Sequence, residues 1–121
     1  MNTYLGYYRI NANWAASISE QARKGISSPP SEFLKKVREL PEKLPSGCSI
    51  VGSYAPRAVG AVLSDPGPPS VMIVETSDDA HLSFINNYYA GWLEFLWVPA
   101  AKIGATRAER ERWLASTQAN Q

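Results

Sequence analysis

The chain has 121 residues, 45% of them hydrophobic and 19% charged, and this length predicts a single domain over residues 1–121. Its 12 Lys and Arg residues nearly balance 11 Asp and Glu residues, so the formal net charge of +1 indicates no polyanion-binding surface. We therefore expect no nucleic-acid partner. Because Cys48 and His81 are the single cysteine and histidine, an intrachain disulfide and the usual zinc sites are excluded, and we expect neither metal nor cofactor.

The apolar runs give no sign of a membrane protein. Residues 1–10 lack a basic stretch followed by an apolar one, and no run approaches the roughly 18 apolar residues of a membrane span. We expect a soluble cytoplasmic protein without a membrane partner.

The first third of the chain predicts a strand and two helices. The tyrosine-rich run 3–10 is typical of a partly buried strand. The run 13–23 predicts a short helix that has Asn13 as its N-cap and ends before Gly25. A break follows, and Ser31 is a candidate N-cap for an amphipathic helix.

Pro41 is expected to end or bend this second helix near Leu40, because proline removes a helix hydrogen bond. The apolar run 48–55 then predicts a second strand and the β-branched run 70–76 a third. Between these strands, the Pro- and Gly-rich segment 56–69 predicts a long connection that extends the hairpin before reversing.

The last third predicts a helix, a strand and a further helix. Ser77 or Asp78 is the candidate N-cap of a helix that buries Leu82, Ile85 and Tyr89 and ends at Gly91. The run 93–100 predicts the fourth strand. A capping-box pattern from Thr106 to Glu109 predicts a C-terminal helix that reaches about Ser116 and is anchored by Trp113 and Leu114.

The order of these elements predicts an α+β fold. Strand, helix, strand, strand, helix, strand is the ferredoxin-like βαββαβ pattern, here with an addition after the first strand and an extra C-terminal helix. It gives a four-stranded antiparallel sheet with helices on one face. In the fourth strand, Phe95 and Trp97 fall on one face and Leu96 and Val98 on the other, so the second face also needs cover. We therefore expect a homodimer formed face to face by two sheets.

A resemblance supports this architecture. Residues 44–55, LPSGCSIVGSYA, followed by residues 71–100, resemble a small bacterial family of unknown function in the dimeric α+β barrel superfamily. The shared pattern is a leucine-proline-x-glycine turn before a strand, methionine-x-x-glutamate-x-aspartate-aspartate before a helix, then tryptophan and a phenylalanine-x-x-x-proline strand. Segments 12–28 and 56–69 look inserted relative to that family.

The resemblance implies a dimeric α+β barrel and leaves several activities open. The superfamily includes cofactor-independent monooxygenases of polyketide quinols, lactone isomerases, haem-degrading proteins, relatives of chlorite dismutase and ligand binders. The leading hypothesis is a metal-independent enzyme that oxygenates, isomerises or cyclises an aromatic or polyketide-like metabolite in a cavity between sheet and helices.

Three residues are candidates for catalysis. His81 is a candidate acid or base because imidazole titrates near neutral pH, although such a histidine is also commonly solvent-facing. Arg9, with Asn11 beside it, would stabilise an enolate-like oxyanion if it faced the helices, or lie in water at the strand end. Glu75 is a candidate base or partner of Arg9, and its position suits helix capping equally well.

Aromatic side chains are abundant and are candidates to line the cavity or to form the core. Those that would hold a flat ligand beside Asn11 are Tyr7, Tyr54, Tyr88 and Trp92. Cys48 is interpreted as a small buried side chain, since no activating group is near it in sequence.

Two alternatives remain open at this point. The first is a non-catalytic ligand-binding or assembly protein in which the same residues form the core and segments 12–28 and 56–69 contact a partner. The second is haem binding through His81.

Overall fold

The computed structural model describes residues 1–25, 29–56 and 68–119. In chain order the elements are β1 (Asn2–Ile10), α1 (Ala12–Arg23), α2 (Ser31–Lys43), β2 (Cys48–Tyr54), β3 (Ser70–Thr76), α3 (Ala80–Tyr88), β4 (Leu93–Ala100) and α4 (Arg107–Ala119). The four predicted strands and four predicted helices are therefore confirmed, with boundaries that differ by a few residues. The interpretation of the apolar run 61–63 as part of an extended hairpin lies outside the described residues.

The four strands form one antiparallel sheet in the order β2-β3-β1-β4. This confirms an α+β fold with a four-stranded antiparallel sheet, and the order is compatible with the ferredoxin-like expectation. In β1 the register places Gly6 between Met72 of β3 and Trp97 of β4, so β1 is central. A register shift between Ile50 and Gly52 interrupts the pairing of β2 with β3.

The hydrophobic core lies on one face of the sheet, which is called the covered face below. Because successive side chains of a strand point to opposite faces, Met72, Val74 and Thr76 share a face, and all three are buried. On α3, the predicted face is confirmed, since Leu82 and Ile85 are buried and Tyr89 follows them. The core cluster consists of Leu40, Met72, Val74, Leu82, Ile85, Tyr89 and Leu93.

The opposite face of the sheet, formed by Leu5, Tyr7, Val71, Ile73, Leu96 and Val98, is called the open face below. Leu96 is 65% exposed and Val98 38% exposed. Tyr54, at the end of β2 opposite Val71, is also 65% exposed. Leu96 and Val98 are thus exposed apolar residues, as the alternation in β4 predicts, and the other four residues of the open face are half-buried.

The structure corrects the predicted end of α2. The helix continues through Pro41 to Lys43 instead of ending near Leu40. Pro41 lies in the last turn, where the helix loses one backbone hydrogen bond and no further turn depends on it, so the prediction of an end or bend was too strong. The predicted N-cap Ser31 is the first helical residue, and the capping position is held by Pro30 without a side-chain hydrogen bond.

Two other N-caps differ from the sequence-based choice. In α1 the cap is Asn11, whose side-chain oxygen accepts a hydrogen bond from the backbone N–H of Asn13 at 2.8 Å. In α3 the cap is Asp79, while the carboxylate of Asp78 accepts from Ala80 N–H at 2.9 Å. Several neighbouring Asn and Asp residues can each cap these helices, so the pattern alone did not select one.

The C-terminal helix begins as predicted and extends further. The hydroxyl of Thr106 accepts from the N–H of Glu109 at 3.2 Å, which confirms the capping role of Thr106. The helix continues to Ala119 instead of ending at Ser116. Trp113 is half-buried but Leu114 is exposed, so only the first of the two predicted anchors is partly covered. Within the described ranges, no helix is long and apolar enough to cross a membrane.

A close contact between β1 and β4 fixes the centre of the covered face. Gly6 is buried and lies opposite Trp97, and a methyl group at position 6 would overlap the indole ring. The ring is held in place by Phe95, stacked at 5.2 Å, and by Asn86, whose side-chain oxygen accepts from Trp97 Nε1 at 2.8 Å. Glycine is therefore required here by the close approach of a ring, not by its backbone conformation.

We expect Gly6→Ala to lower the free energy of unfolding by about 1–3 kcal/mol, because the added methyl group must displace a ring that has two fixed contacts. The measurement is urea unfolding of the wild type, Gly6→Ala, Trp97→Leu and the double variant. If the loss is the same in the Trp97→Leu background, the overlap with the ring is not its cause.

Candidate functional site

A cavity of about 410 Å³ lies between the covered face of the sheet and helices α1 and α2. The sheet contributes Ile50, Met72 and Leu93, which form the floor. The described residues that line the whole cavity are Tyr8, Ile10, Trp14, Phe33, Val37, Leu40, Pro41, Ile50, Ser53, Ala55, Ser70, Met72, Tyr89 and Leu93. This volume falls within the range of about 300–1,000 Å³ that is typical of small-molecule sites.

The roof of the cavity is aromatic. Trp14 of α1 packs against Phe33 of α2 with ring centroids 4.6 Å apart. Trp14 also meets Trp92 edge to face at 5.1 Å, and Phe33 lies 5.6 Å from the same ring. These three rings join α1, α2 and the start of β4, so the helices are held above the sheet at one side of the cavity.

Asn11 fixes the angle at which the chain leaves β1 for α1. In addition to capping α1, its side-chain amide donates to Glu94 Oε1 at 3.2 Å, and its backbone N–H donates to the carbonyl of Trp92 at 2.7 Å. These bonds place the first turn of α1, and with it Trp14, beside Trp92. Asn11 therefore positions the roof and does not itself line the cavity.

A reciprocal clamp holds α2 against α3. The hydroxyl of Tyr88 donates to the carbonyl of Lys36 at 2.6 Å, and Lys36 Nζ donates to the carbonyl of Tyr88 at 3.1 Å. The same ammonium lies 4.6 Å from the centre of the Tyr88 ring, which adds a cation–π contact. Because α3 packs into the core, the clamp ties α2 to the most buried part of the molecule.

Hydroxyl groups gather at one end of the cavity. Tyr8 of β1 and Ser70 of β3 are register partners, and the hydroxyl of Tyr8 lies 3.4 Å from that of Ser53 on β2. Three neighbouring strands therefore each supply a hydroxyl at the same end of the sheet. The other described lining residues are almost entirely hydrocarbon and aromatic, and none of those described carries a charge.

Two polar groups belong to the residues above the cavity, the hydroxyl of Tyr89 and Nε1 of Trp14. Tyr89 is only 3% exposed, and burial, together with the nearby Tyr88 and Tyr8, raises the pKa of its hydroxyl to about 12, so this phenol stays neutral near neutral pH. Among the residues that the structure describes, Nε1 of Trp14 is the buried side-chain donor that has no hydrogen-bond partner.

The candidate His81 lies in the first turn of α3 and outside the cavity lining. Its Nδ1 is 2.6 Å from the hydroxyl of Thr76, a fully buried residue. The backbone N–H of Asp78 donates to the same hydroxyl at 3.2 Å. The imidazole thus belongs to the network that joins the end of β3 to the start of α3.

Cys48 lies beside this network. It is the register partner of Thr76, and burial raises the pKa of its thiol, while a hydrogen bond with the Thr76 side chain lowers it. A thiol with a raised pKa is a weak nucleophile, as the sequence-based interpretation expects, but Cys48 is half-buried and not fully buried.

Arg9 and Tyr7 lie on the open face, on the opposite side of the sheet from the cavity. They come together at a shallow surface pocket of about 400 Å³, whose other residues are Pro69, Glu94, Phe95 and Leu96. Glu75 also points to this face, since its neighbours Val74 and Thr76 are buried on the other. Glu75 pairs with Thr3 and lies at the opposite end of the sheet from Arg9.

The other aromatic candidates are dispersed. Tyr54 lies on the exposed end of β2, and Tyr88 takes part in the clamp between α2 and α3. Trp92 contacts the ring of Trp14 edge to face, and it also lines a separate cleft between α1 and the start of α2. The structure therefore does not gather the eight sequence-based candidates into one site.

Sequence reasoning missed the residues that line the cavity, chiefly Tyr8, Phe33, Met72 and Tyr89. The available signal was the alternation in β1, which separates Tyr8 and Gly6 from Tyr7 and Arg9. In addition, Tyr89 continues the buried stripe of α3. Neither pattern indicated on its own that space would remain between the sheet and the helices.

The described part of the chain holds no group of three His, Cys, Asp or Glu side chains that could bind a metal ion. In comparisons with protein families, curated proteins and solved structures, nothing matches this chain. The resemblance to a bacterial family of the dimeric α+β barrel superfamily therefore stays a prediction, and the functional argument depends on the cavity.

The raised pKa of Tyr89 predicts a loss of stability at alkaline pH. The folded protein keeps this phenol protonated up to about pH 12, whereas the unfolded chain releases the proton from its usual value of 10.0. Between these pH values the unfolded state is favoured progressively, so the free energy of unfolding falls as the pH rises. We expect Tyr89→Phe to reduce this fall, measured by urea unfolding from pH 9 to pH 12. An unchanged pH dependence in the variant would contradict the assignment.

Proposed function

We propose that this protein binds a small aromatic or polyketide-like molecule in the cavity between its sheet and helices α1 and α2. One observation carries the proposal: a cavity of about 410 Å³ with an aromatic roof and an apolar floor. Transfer of apolar surface from water into such a space is favourable by about 25 cal/mol per Å², and rings in the roof can stack on a flat ligand.

Binding is favoured over catalysis by the composition of the lining. The candidates His81, Arg9 and Glu75 lie outside it, and among the described lining residues the titratable side chains are those of Tyr8 and Tyr89. General acid–base catalysis needs a group within hydrogen-bond reach of the reacting atom. The oxygenation, isomerisation or cyclisation hypothesis therefore stays a prediction. Haem binding through His81 is less favoured, because this ring is bonded to Thr76 away from the cavity.

The proposal is tested with a substitution that places a large side chain in the cavity. Ala55 lines the cavity and is exposed, so Ala55→Trp introduces an indole into the space without replacing a core side chain. We expect saturable binding of phenylnaphthylamine, a neutral dye that fluoresces in apolar surroundings. In Ala55→Trp the affinity should fall at least about tenfold, because the ring and the dye compete for one volume.

The matched control is Ala101→Trp, an equally large addition at an exposed position outside the lining. It should bind the dye as the wild type does. A second control, Leu96→Glu, tests whether the dye instead binds the open face. Absence of saturable binding in the wild type, or equal binding in Ala55→Trp, would refute the proposed function.

We further propose that a second copy of the chain covers the open face, which gives a ferredoxin-like dimeric α+β barrel. The support is the exposed apolar side chains of Leu96 and Val98 on this face, together with the exposed Tyr54 at the end of β2. Its charged neighbours Arg9 and Glu94 have opposite signs, so two copies do not bring surfaces of a single charge together.

The size of the face is sufficient for weak to moderate association. Four strands spaced about 4.8 Å apart and roughly 24 Å long present about 450 Å² of flat area, and protruding side chains increase it. Two copies then bury close to the 1,000 Å² or so that separates specific interfaces from incidental contacts.

We expect the wild type to sediment at twice the chain mass of 13.3 kDa and Leu96→Glu to sediment as the monomer. The variant places a carboxylate on the apolar face, where covering it with a second copy would cost its hydration. Leu34→Glu is the matched control, because Leu34 is an exposed leucine of α2 outside both the open face and the cavity lining. Sedimentation equilibrium is the measurement, and a wild-type monomer at all concentrations would exclude this interface.

A further inference from the structure

The indole of Trp14 borders two spaces. It lines the cavity between the sheet and the helices, and it also lines the cleft between α1 and the start of α2, together with Gln21 and Trp92. Contacts with Phe33 at 4.6 Å and with Trp92 at 5.1 Å hold the ring in this position. A molecule that fills the cavity is therefore in contact with this indole.

The one polar atom of this indole has no partner in the described part of the chain. Nε1 of Trp14 is shielded from solvent, and no described residue accepts its proton. The indole of Trp97 shows the usual arrangement, since its Nε1 donates to Asn86 at 2.8 Å. A buried donor that has lost its hydration and gained no acceptor is unfavourable, so a molecule that supplies an acceptor restores the missing hydrogen bond.

The hydroxyl groups of the lining discriminate less between ligands than this indole does. Those of Tyr8 and Ser53 lie 3.4 Å apart at positions exposed to solvent, so they can bond to one another and to water. The hydroxyl of Tyr89 can either donate or accept, whereas Nε1 of Trp14 can only donate. The indole therefore selects for an acceptor on the ligand.

The helix that carries Trp14 can adjust to a ligand. Because Nε1 is shielded, an acceptor reaches it only after a small displacement of the ring or of α1. Helix α1 has no buried residue, and a segment with little buried apolar surface is displaced at a low cost in free energy. The hydrogen bond can thus form without a change in the sheet.

We propose that the ligand of the cavity carries a hydrogen-bond acceptor, such as a carbonyl oxygen, that accepts from Nε1 of Trp14. This inference rests on the proposed binding function and specifies the chemical class of the ligand as a carbonyl-type ring compound. It assigns Trp14 as the residue that selects such a compound over a hydrocarbon of the same shape.

The test compares acetylnaphthalene with ethylnaphthalene, each substituted at the same carbon. The first compound has a carbonyl acceptor, and the second has nearly the same shape without one. Titration calorimetry on the wild type should give an affinity for acetylnaphthalene about three- to tenfold above that for ethylnaphthalene, because the carbonyl oxygen restores the hydrogen bond of a buried donor.

In Trp14→Phe the preference for acetylnaphthalene should disappear, because this variant keeps an aromatic ring but has no N–H. The matched control is Trp113→Phe, the same change in α4 outside the cavity lining, which should keep the wild-type preference. Comparing the two compounds within each variant cancels any change in folding, since both compounds meet the same folded population.

A second measurement follows the indole N–H directly in the wild type and does not depend on the folding of a variant. The nuclear magnetic resonance signal of this N–H is identified by its loss in Trp14→Phe. A proton that enters a hydrogen bond is deshielded, so the signal should move further downfield with acetylnaphthalene than with ethylnaphthalene. The naphthalene ring current acts in both titrations, and the difference between them reports the hydrogen bond.

The outcomes separate the two proposals. If neither naphthalene compound nor phenylnaphthylamine binds the wild type, the proposed function fails and this inference fails with it. Equal wild-type affinities for the two compounds, a preference that survives in Trp14→Phe, or equal movements of the Trp14 signal in the two titrations would overturn the inference alone, while the binding function stands.

Discussion

The site depends on the contact of Trp14 with Phe33 and Trp92, because these rings hold two helices above the sheet and keep them from collapsing onto it. Helix α1 has no buried residue, and α2 buries only Leu40. In most two-layer domains each helix packs apolar side chains against the sheet along the whole length of the helix. Here aromatic contacts join α1 and α2 to the start of β4, the Lys36–Tyr88 clamp ties α2 to α3, and the cavity lies between α1, α2 and the sheet.

The electrostatics of the molecule follow the same division. Charged and titratable groups occupy the open face and the ends of the strands, as Arg9, Glu94 and Glu75 show. The covered face is left to tyrosine and serine hydroxyls. Arg9 and Glu75, two of the sequence-based candidates, therefore lie on the opposite side of the sheet from this cavity, while His81 contacts Thr76 on the covered side but outside the cavity lining.

The strands could be predicted from the sequence because period-two patterns and β-branched residues make a strong local signal, as in 70–76. The buried side of α3 followed from its helical spacing in the same way. The side of β1 that meets the helices could not be predicted, since Tyr8 and Tyr7 stand on opposite faces and both faces are aromatic. The cavity itself arises from the distance between layers, which depends on contacts such as Trp14 to Trp92 across 78 positions of sequence.

The exact cap residues could not be predicted, because adjacent Asn or Asp residues are equally good candidates. In α3, Asp79 holds the N-cap position without a side-chain hydrogen bond, and Asp78 accepts from the N–H of Ala80. The continuation of α2 through Pro41 has a related cause, since a proline near the end of a helix removes a bond that the next turn does not need.

The absence of any buried residue in α1 also has a consequence for local stability. Its backbone hydrogen bonds are shielded by little apolar surface, whereas β1, directly before it in the chain, lies at the centre of the sheet. Two adjacent segments therefore differ widely in opening free energy. We therefore expect amide protons of α1 to exchange with solvent through local opening, and those of β1 to be protected far more strongly because β1 lies at the centre of the sheet.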